Sequence, residues 1–244
     1  MSGHSKWAKV HRQKSVADSK KGAVFTKLGN LITIAAKEGG GDTENNFKLR
    51  LAVEKARAAN MPKDNIERAI KRGAGTGDGK NVLEEITYEV FGPNNSLFII
   101  ETITDNKNRT VSDLKTVLSK NNGQLGGPNS VIWQFERKGI ILIDNSQIFN
   151  INTEDLELNL IDAGAEDIKK SDDGLEIITA SDKLQEVEKN IKKLNIEINE
   201  SLLGFKPKDE LNIIDQDAQD KIEKLYNTID DLDDVNNIYT NANW

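Results

Sequence analysis

Two histidines, His4 and His11, stand in a segment that also carries Lys6, Trp7, Lys9, Arg12 and Lys14. Imidazole, indole, ammonium and guanidinium groups interleaved in this way suit a phosphate backbone and stacked bases. They suit metal or hydrolytic chemistry poorly. A zinc site needs three or four ligands, and the chain has no cysteine to complete a set around two histidines. A Ser-His-Asp triad needs an imidazole held by a rigid third group, which an irregular segment does not supply. With Lys20, Lys21 and Lys27 included, the segment holds seven cations against the single anion Asp18. A charge run is usually no more than a solvated surface. Here the single sign, the embedded tryptophan and a following helical region with further cations (Lys48, Arg50, Lys55, Arg57, Lys63, Arg68, Lys71, Arg72) point to nucleic acid.

Three other clusters invite a chemical reading. GAGTGDGK at residues 73–80 resembles a phosphate loop but fails in detail. Ala74 stands where the first glycine belongs, Asn81 where Ser or Thr would hold magnesium, and the preceding element reads as a helix. A flexible linker is the better reading. The run Asp230, Asp231, Asp233, Asp234 lacks the alternating spacing and the glycine of an EF-hand loop and reads as a solvated helix end. Asp105-Asn106-Lys107-Asn108-Arg109-Thr110 leads into a helix N-terminus, where backbone N–H groups with Arg109 suit an anion and a plain polar turn with an N-cap suits the residues equally. No catalytic residue, metal site or cofactor site is expected.

These groups must be positioned by a chain of 244 residues whose charge is divided unevenly. Residues 1–80 hold 17 Lys and Arg against 8 Asp and Glu, a net of +9; the remainder holds 16 against 32, a net of −16. A basic end on an acidic body is the pattern of a polyanion binder that resists indiscriminate sticking. No apolar run approaches the length of a membrane span, the basic N-terminus has no apolar signal core, and the absence of cysteine fits a reducing cytoplasm.

Residues 1–22 read as an extended or irregular arm. Helical spacing then predicts helices over 23–37 (Val24, Leu28, Leu31, Ala35), 45–59 (Leu49, Val53, Ala56) and from Pro62, in the first turn, to Gly73. The period switches to two for strands over 86–90 and 97–104, followed by a helix opened by a Thr110/Asp113 capping pair. A hairpin is expected from Ser130, with Val131, Trp133 and Phe135 alternating, Arg137-Lys138-Gly139 turning and Ile140 to Ile143 returning. A helix from Thr153, strands over 166–169 and 175–179, a helix capped by Ser181 and a strand over 196–202 give the order of a ferredoxin-like split βαβ unit. After a connector at 204–208, a strand over 211–214, a helix from about Ala218 and a closing strand over 235–240 are expected to return to the sheet begun at residue 84.

Several stretches identify a resemblance. SGHSKWAKVHRQK at residues 2–14, FTKL at 25–28, GGGD at 39–42, NMPKDNIERAIKRG at 60–73, YEVFGP at 88–93, DNKNRT at 105–110 and DLDDVNNIYTN at 231–241 are similar to the YebC/PmpR family, from the first residues to the last. The resemblance implies a helical bundle, two α+β domains with the middle one completed by the C-terminal tail, a cytoplasmic protein and no known catalytic activity. It implies either a probable transcriptional regulator that binds promoter DNA or, as for a mitochondrial relative, a translation factor on the ribosome that relieves stalling at proline-rich stretches. In the ribosomal case Lys6, Trp7, His11 and Arg12 would face ribosomal RNA; in the transcriptional case the basic bundle would meet duplex phosphates. Gln13, where a basic residue is common, and the ending Asn241-Ala242-Asn243-Trp244 depart from the family pattern.

The expectation is therefore an α+β protein with a three-helix bundle and two small α+β, ferredoxin-like domains. Residues 1–75 form the arm and bundle, 82–129 with 206–244 the middle domain, and 130–205 the inserted domain. Lys6, Trp7, Lys9, His11, Arg12, Lys14, Lys20, Lys21, Lys27 and Arg109 are the candidate nucleic-acid contacts, DNA or ribosomal RNA the partner, with the ribosome as a further partner and no membrane.

Overall fold

Helical periodicity over residues 23–73 becomes three packed helices in the computed structural model, which describes residues 18–75, 83–148, 153–171 and 174–243. They are α1 (Asp18–Gly39), α2 (Phe47–Ala58) and α3 (Lys63–Gly73). Leu28, Ile32, Ala35, Leu49, Val53, Ala56, Ile66 and Ala69 are buried together, so one stripe of each helix makes the core. α1 starts five residues earlier than its apolar stripe, which makes the end of the basic segment helical. Asn46 caps α2 by accepting from the Leu49 N–H and donates to the carbonyls of Ala35 and Gly40 at 2.8 Å, fixing the sharp return after α1. Pro62 stands at the N-cap of α3, one position before the first turn. Gly73 lets α3 meet α1, because a Cβ there would lie 2.8 Å from Ala36 Cβ and against the Thr33 carbonyl. Residues 76–82, most of the expected linker, lie outside the described residues.

An antiparallel pair follows, β1 (Glu84–Phe91) and β2 (Leu97–Thr104), in register from Glu84 opposite Thr104 to Phe91 opposite Leu97. β2 is buried at every position, as its unbroken apolar run predicts. α4 (Lys107–Lys120) begins three residues before Thr110. Asn106 is its N-cap, accepting from the Arg109 N–H, and Thr110 sits inside the first turn. The two-residue β3 (Gln124–Leu125) lies beside β1.

The hairpin expected from Ser130 does not form. Residues 132–134 make a 3₁₀ turn, and β4 (Phe135–Asp144) runs without a break through Arg137-Lys138-Gly139. Gly139 is a packing glycine and not a turn glycine: a Cβ would stand 2.7 Å from Thr179 Cγ2 and 2.9 Å from Leu184 Cβ. The unit formed by residues 135–208 then adds α5 (Asn145–Ile148), α6 (Thr153–Asp162), β5 (Asp167–Lys170), β6 (Gly174–Ala180), α7 (Leu184–Lys193) and β7 (Glu200–Pro207). Its sheet has the order β5-β6-β4-β7, with every neighbouring pair antiparallel. That order is the ferredoxin-like arrangement. Two details differ from the sequence reading. Lys183, not Ser181, is the N-cap of α7, and the last strand is displaced to 200–207, absorbing most of the expected connector. Ten-residue β4 dictates the second shift, since it pairs with β7 from Phe135–Pro207 to Leu142–Glu200.

The chain then returns to the first unit through β8 (Leu211–Asn212), α8 (Gln216–Asp230) and β9 (Val235–Thr240). β9 pairs with β2, giving the sheet order β3-β1-β2-β9, so the tail does complete the sheet begun at residue 84. The Asn241 side chain accepts from the Leu97 N–H at 2.8 Å and holds that end.

Candidate nucleic-acid interface

The cations of the bundle divide by what they touch. Arg57, Lys63, Arg68, Lys71 and Arg72 are exposed on α2 and α3. Arg57, Lys71 and Arg72 also stand in last turns, where they complement the dipole, so the fold itself accounts for part of the basic character. A second set pins the bundle to the sheet. Lys48 donates to Glu38 at 2.9 Å and Glu85 at 2.6 Å, and Lys37 donates to the Leu83 carbonyl at 3.1 Å. Burial pulls the Lys48 pKa down, but its hydrogen bonds to Glu85 and Glu38 outweigh that and leave it above its ordinary value.

Among the expected contacts, Lys6, Trp7, Lys9, His11, Arg12 and Lys14 lie outside the described residues, and Lys20 and Lys21 lie on the first turns of α1. Lys27 and Arg109 are described, and both converge on one turn, Asp230 to Asp234. The Lys27 ammonium donates to the Asp230 carbonyl at 2.6 Å. The Arg109 guanidinium reaches both oxygens of Asp234, at 2.9 and 3.1 Å, and Asp105 at 3.0 Å. Its pKa is raised, by the hydrogen bond to Asp234 before any other cause. The anion at the start of α4 is therefore supplied by the chain itself. Asp234 also accepts from the hydroxyls of Thr110 at 2.7 Å and Thr104 at 3.1 Å. The acidic run that reads as a solvated helix end is so only in part: Asp231 and Asp233 are exposed, while Asp234 is a largely buried hub joining β2, α4 and β9.

Beside this hub lies a cleft of about 1110 Å³, lined on one side by Thr26, Asn30 and Arg72 and on the other by Asp105, Arg109, Asp113, Asp231, Asp233 and Asp234. Five carboxylates against two guanidiniums make it a poor seat for phosphate; among the described residues, the exposed cations of α2 and α3 suit a polyanion better. Among the described residues no helix is long and apolar enough to cross a membrane.

Sequence reasoning missed one feature. Glu89, in the middle of β1 and 8% exposed, accepts from the main-chain N–H groups of Asn129 (2.6 Å), Val131 (2.5 Å) and Ile132 (2.7 Å). It thereby braces a loop on which Trp133 is 62% exposed. The signal available was the loop's composition: residues 121–134 carry no charge in a chain that is 30% charged.

Comparison with known proteins agrees with this architecture. Residues 5–76 match the family model described as the TACO1/YebC protein N-terminal domain, and residues 83–242 match TACO1/YebC second and third domain. A protein of Caldanaerobacter subterraneus named probable transcriptional regulatory protein is 45% identical over 242 residues, covering 99% of this chain and 98% of its own. A Thermotoga maritima protein of the same name is 45% identical over 241 residues, covering 99% and 93%. The crystal structure of a conserved hypothetical protein from Aquifex aeolicus superposes with a TM-score of 0.84 at 37% identity, covering 92% of this chain and 91% of that one.

Proposed function

The chain belongs to the TACO1/YebC family, and from that premise we propose that it is a non-enzymatic regulator of gene expression that binds nucleic acid, with promoter DNA as its target. The observation that carries this reading is the division of charge, +9 over residues 1–80 against −16 over the rest, with exposed cations on α2 and α3. The basic arm and the bundle grip the phosphate backbone, and the acidic body keeps the grip confined to that end. Lys6, Lys9, Arg12, Lys14, Lys20 and Lys21 supply the phosphate contacts, with Trp7 and His11 beside them. Lys27 and Arg109, held by the Asp230–Asp234 turn, orient the bundle and α4.

A second reading, ribosomal RNA with relief of stalling at proline-rich stretches, is favoured by Trp7 among the arm's cations, because indoles stack on unpaired bases. One experiment tests both: duplex gel shift beside ribosome co-sedimentation at two salt concentrations, for the full chain and for a K6A/K9A/R12A/K14A variant. Six phosphate contacts give a slope of log affinity against log salt of about −4 to −5, and removal of four cations brings it to about −1 to −2. Salt-sensitive ribosome association without tight duplex binding selects the second reading. Retention of both nucleic acids by the variant, indifferent to salt, refutes the proposal.

A further inference from the structure

We propose that the loop of residues 126–134 is a platform on which an unpaired RNA base stacks against Trp133. This rests on the RNA form of the nucleic-acid reading and adds to it a site among the described residues.

The loop is built for rigidity at a cost that packing alone does not explain. Burying a carboxylate is unfavourable unless its charge is met. Glu89 meets three loop N–H groups at 2.5 to 2.7 Å, and its own carbonyl accepts from the Gly126 N–H at 2.7 Å. Val131, fully buried, anchors the loop to the body. Gly126 has no room for a Cβ, which would meet the Ser130 hydroxyl and come within 3.2 Å of the Phe91 ring. The outcome is a fixed main chain that presents a large indole to solvent.

Three properties of that surface select the ligand. First, the Trp133 N–H is already spent on the Ser130 carbonyl at 3.1 Å, so the ring offers π-surface and no donor. Second, the absence of charge over residues 121–134 means that an approaching phosphodiester meets no carboxylate on the loop, in contrast to the cleft beside Asp234. Third, the exposed Asn129 supplies an amide whose donor and acceptor match the edge of a base. Bases within a duplex are already stacked, so the platform takes a base from a single strand or an RNA loop. Glu89 is the positioning residue.

The test uses the unaltered full chain and measures affinity for a short labelled oligouridine and for a mixed-sequence DNA duplex; a second chain with Trp7 and Trp244 replaced by Phe serves only to let emission report Trp133 alone. Stacking on an aromatic side chain is worth about 1–3 kcal/mol per base, so Trp133→Ala should weaken oligouridine binding about 5- to 150-fold. Trp133→Phe should hold most of the affinity, oligouridine should quench the Trp133 emission, and duplex binding should not change. Trp133 is too exposed for its truncation to unfold the chain. Glu89→Gln, with helicity intact, should lower oligouridine affinity toward the alanine level. Oligouridine affinity unchanged in Trp133→Ala, with the parent chain binding both probes, overturns this proposal and assigns the indole to a protein partner. Failure of the parent chain to bind either probe overturns the nucleic-acid reading itself.

Discussion

Replacing Asp234 by Ala removes an acceptor shared by four hydrogen bonds, and its cost can be worked out from their geometry. The carboxylate accepts from Thr110 at 2.7 Å, Thr104 at 3.1 Å and Arg109 at 2.9 and 3.1 Å. A hydrogen bond to a charged group contributes about 1.5–3 kcal/mol, and an orphaned buried donor costs a similar amount. Thr110 has a second acceptor in the Asn106 carbonyl at 3.2 Å and recovers part of its loss by turning to it. The buried Thr104 hydroxyl loses its acceptor while still accepting from the Asn106 N–H. Arg109 is half-exposed and keeps Asp105 at 3.0 Å, so its share is about 1 kcal/mol or less. The sum is a destabilisation of about 3 kcal/mol, read as a lower urea midpoint with an unchanged slope. Arg109→Ala should cost about 1 kcal/mol, because the two hydroxyls still satisfy Asp234. A loss below about 1 kcal/mol for Asp234→Ala, or equal losses for the two variants, refutes the hub.

Two further predictions concern stability. The Tyr88 hydroxyl is buried with no hydrogen-bond partner among the described residues, so Tyr88→Phe should raise the unfolding free energy by about 1 kcal/mol. Its pKa is pushed up by burial and then by the charge of Asp234, and that of Lys48 is also raised. Groups whose folded pKa exceeds the unfolded value of about 10 hold their stability below that pH and lose it as pH rises through the higher folded value. Thermal midpoints should therefore fall above about pH 10, less steeply in a Tyr88→Phe/Lys48→Met variant; an unchanged slope refutes the assignment. Gly73→Ala forces a methyl group against the Thr33 carbonyl and Ala36, and should cost about 1–3 kcal/mol in denaturant titrations although alanine is the better helix former. Stabilisation would show that α1 and α3 can separate freely.

The sequence by itself determined the element types and the charge split, because periodicity and composition are local quantities. The three helices, the buried run of β2 and the βαββαβ order were legible in spacing, whereas the tail's return to the first sheet was an expectation from its shortness and from the family resemblance. Tertiary structure decided whatever depends on a distant partner. Gly139 reads as a turn residue until Leu184 and Thr179 close over it, and it then sits within an unbroken strand. Asp234 reads as one of four solvated acids until Arg109, Thr104 and Thr110, more than a hundred residues earlier, make it a hub. Glu89 looks like the polar alternate of an amphipathic strand, and only the fold brings the main chain of residues 129–132 to its carboxylate. A side chain's chemistry is set by its neighbours in space, and a linear chain lists only its neighbours in order.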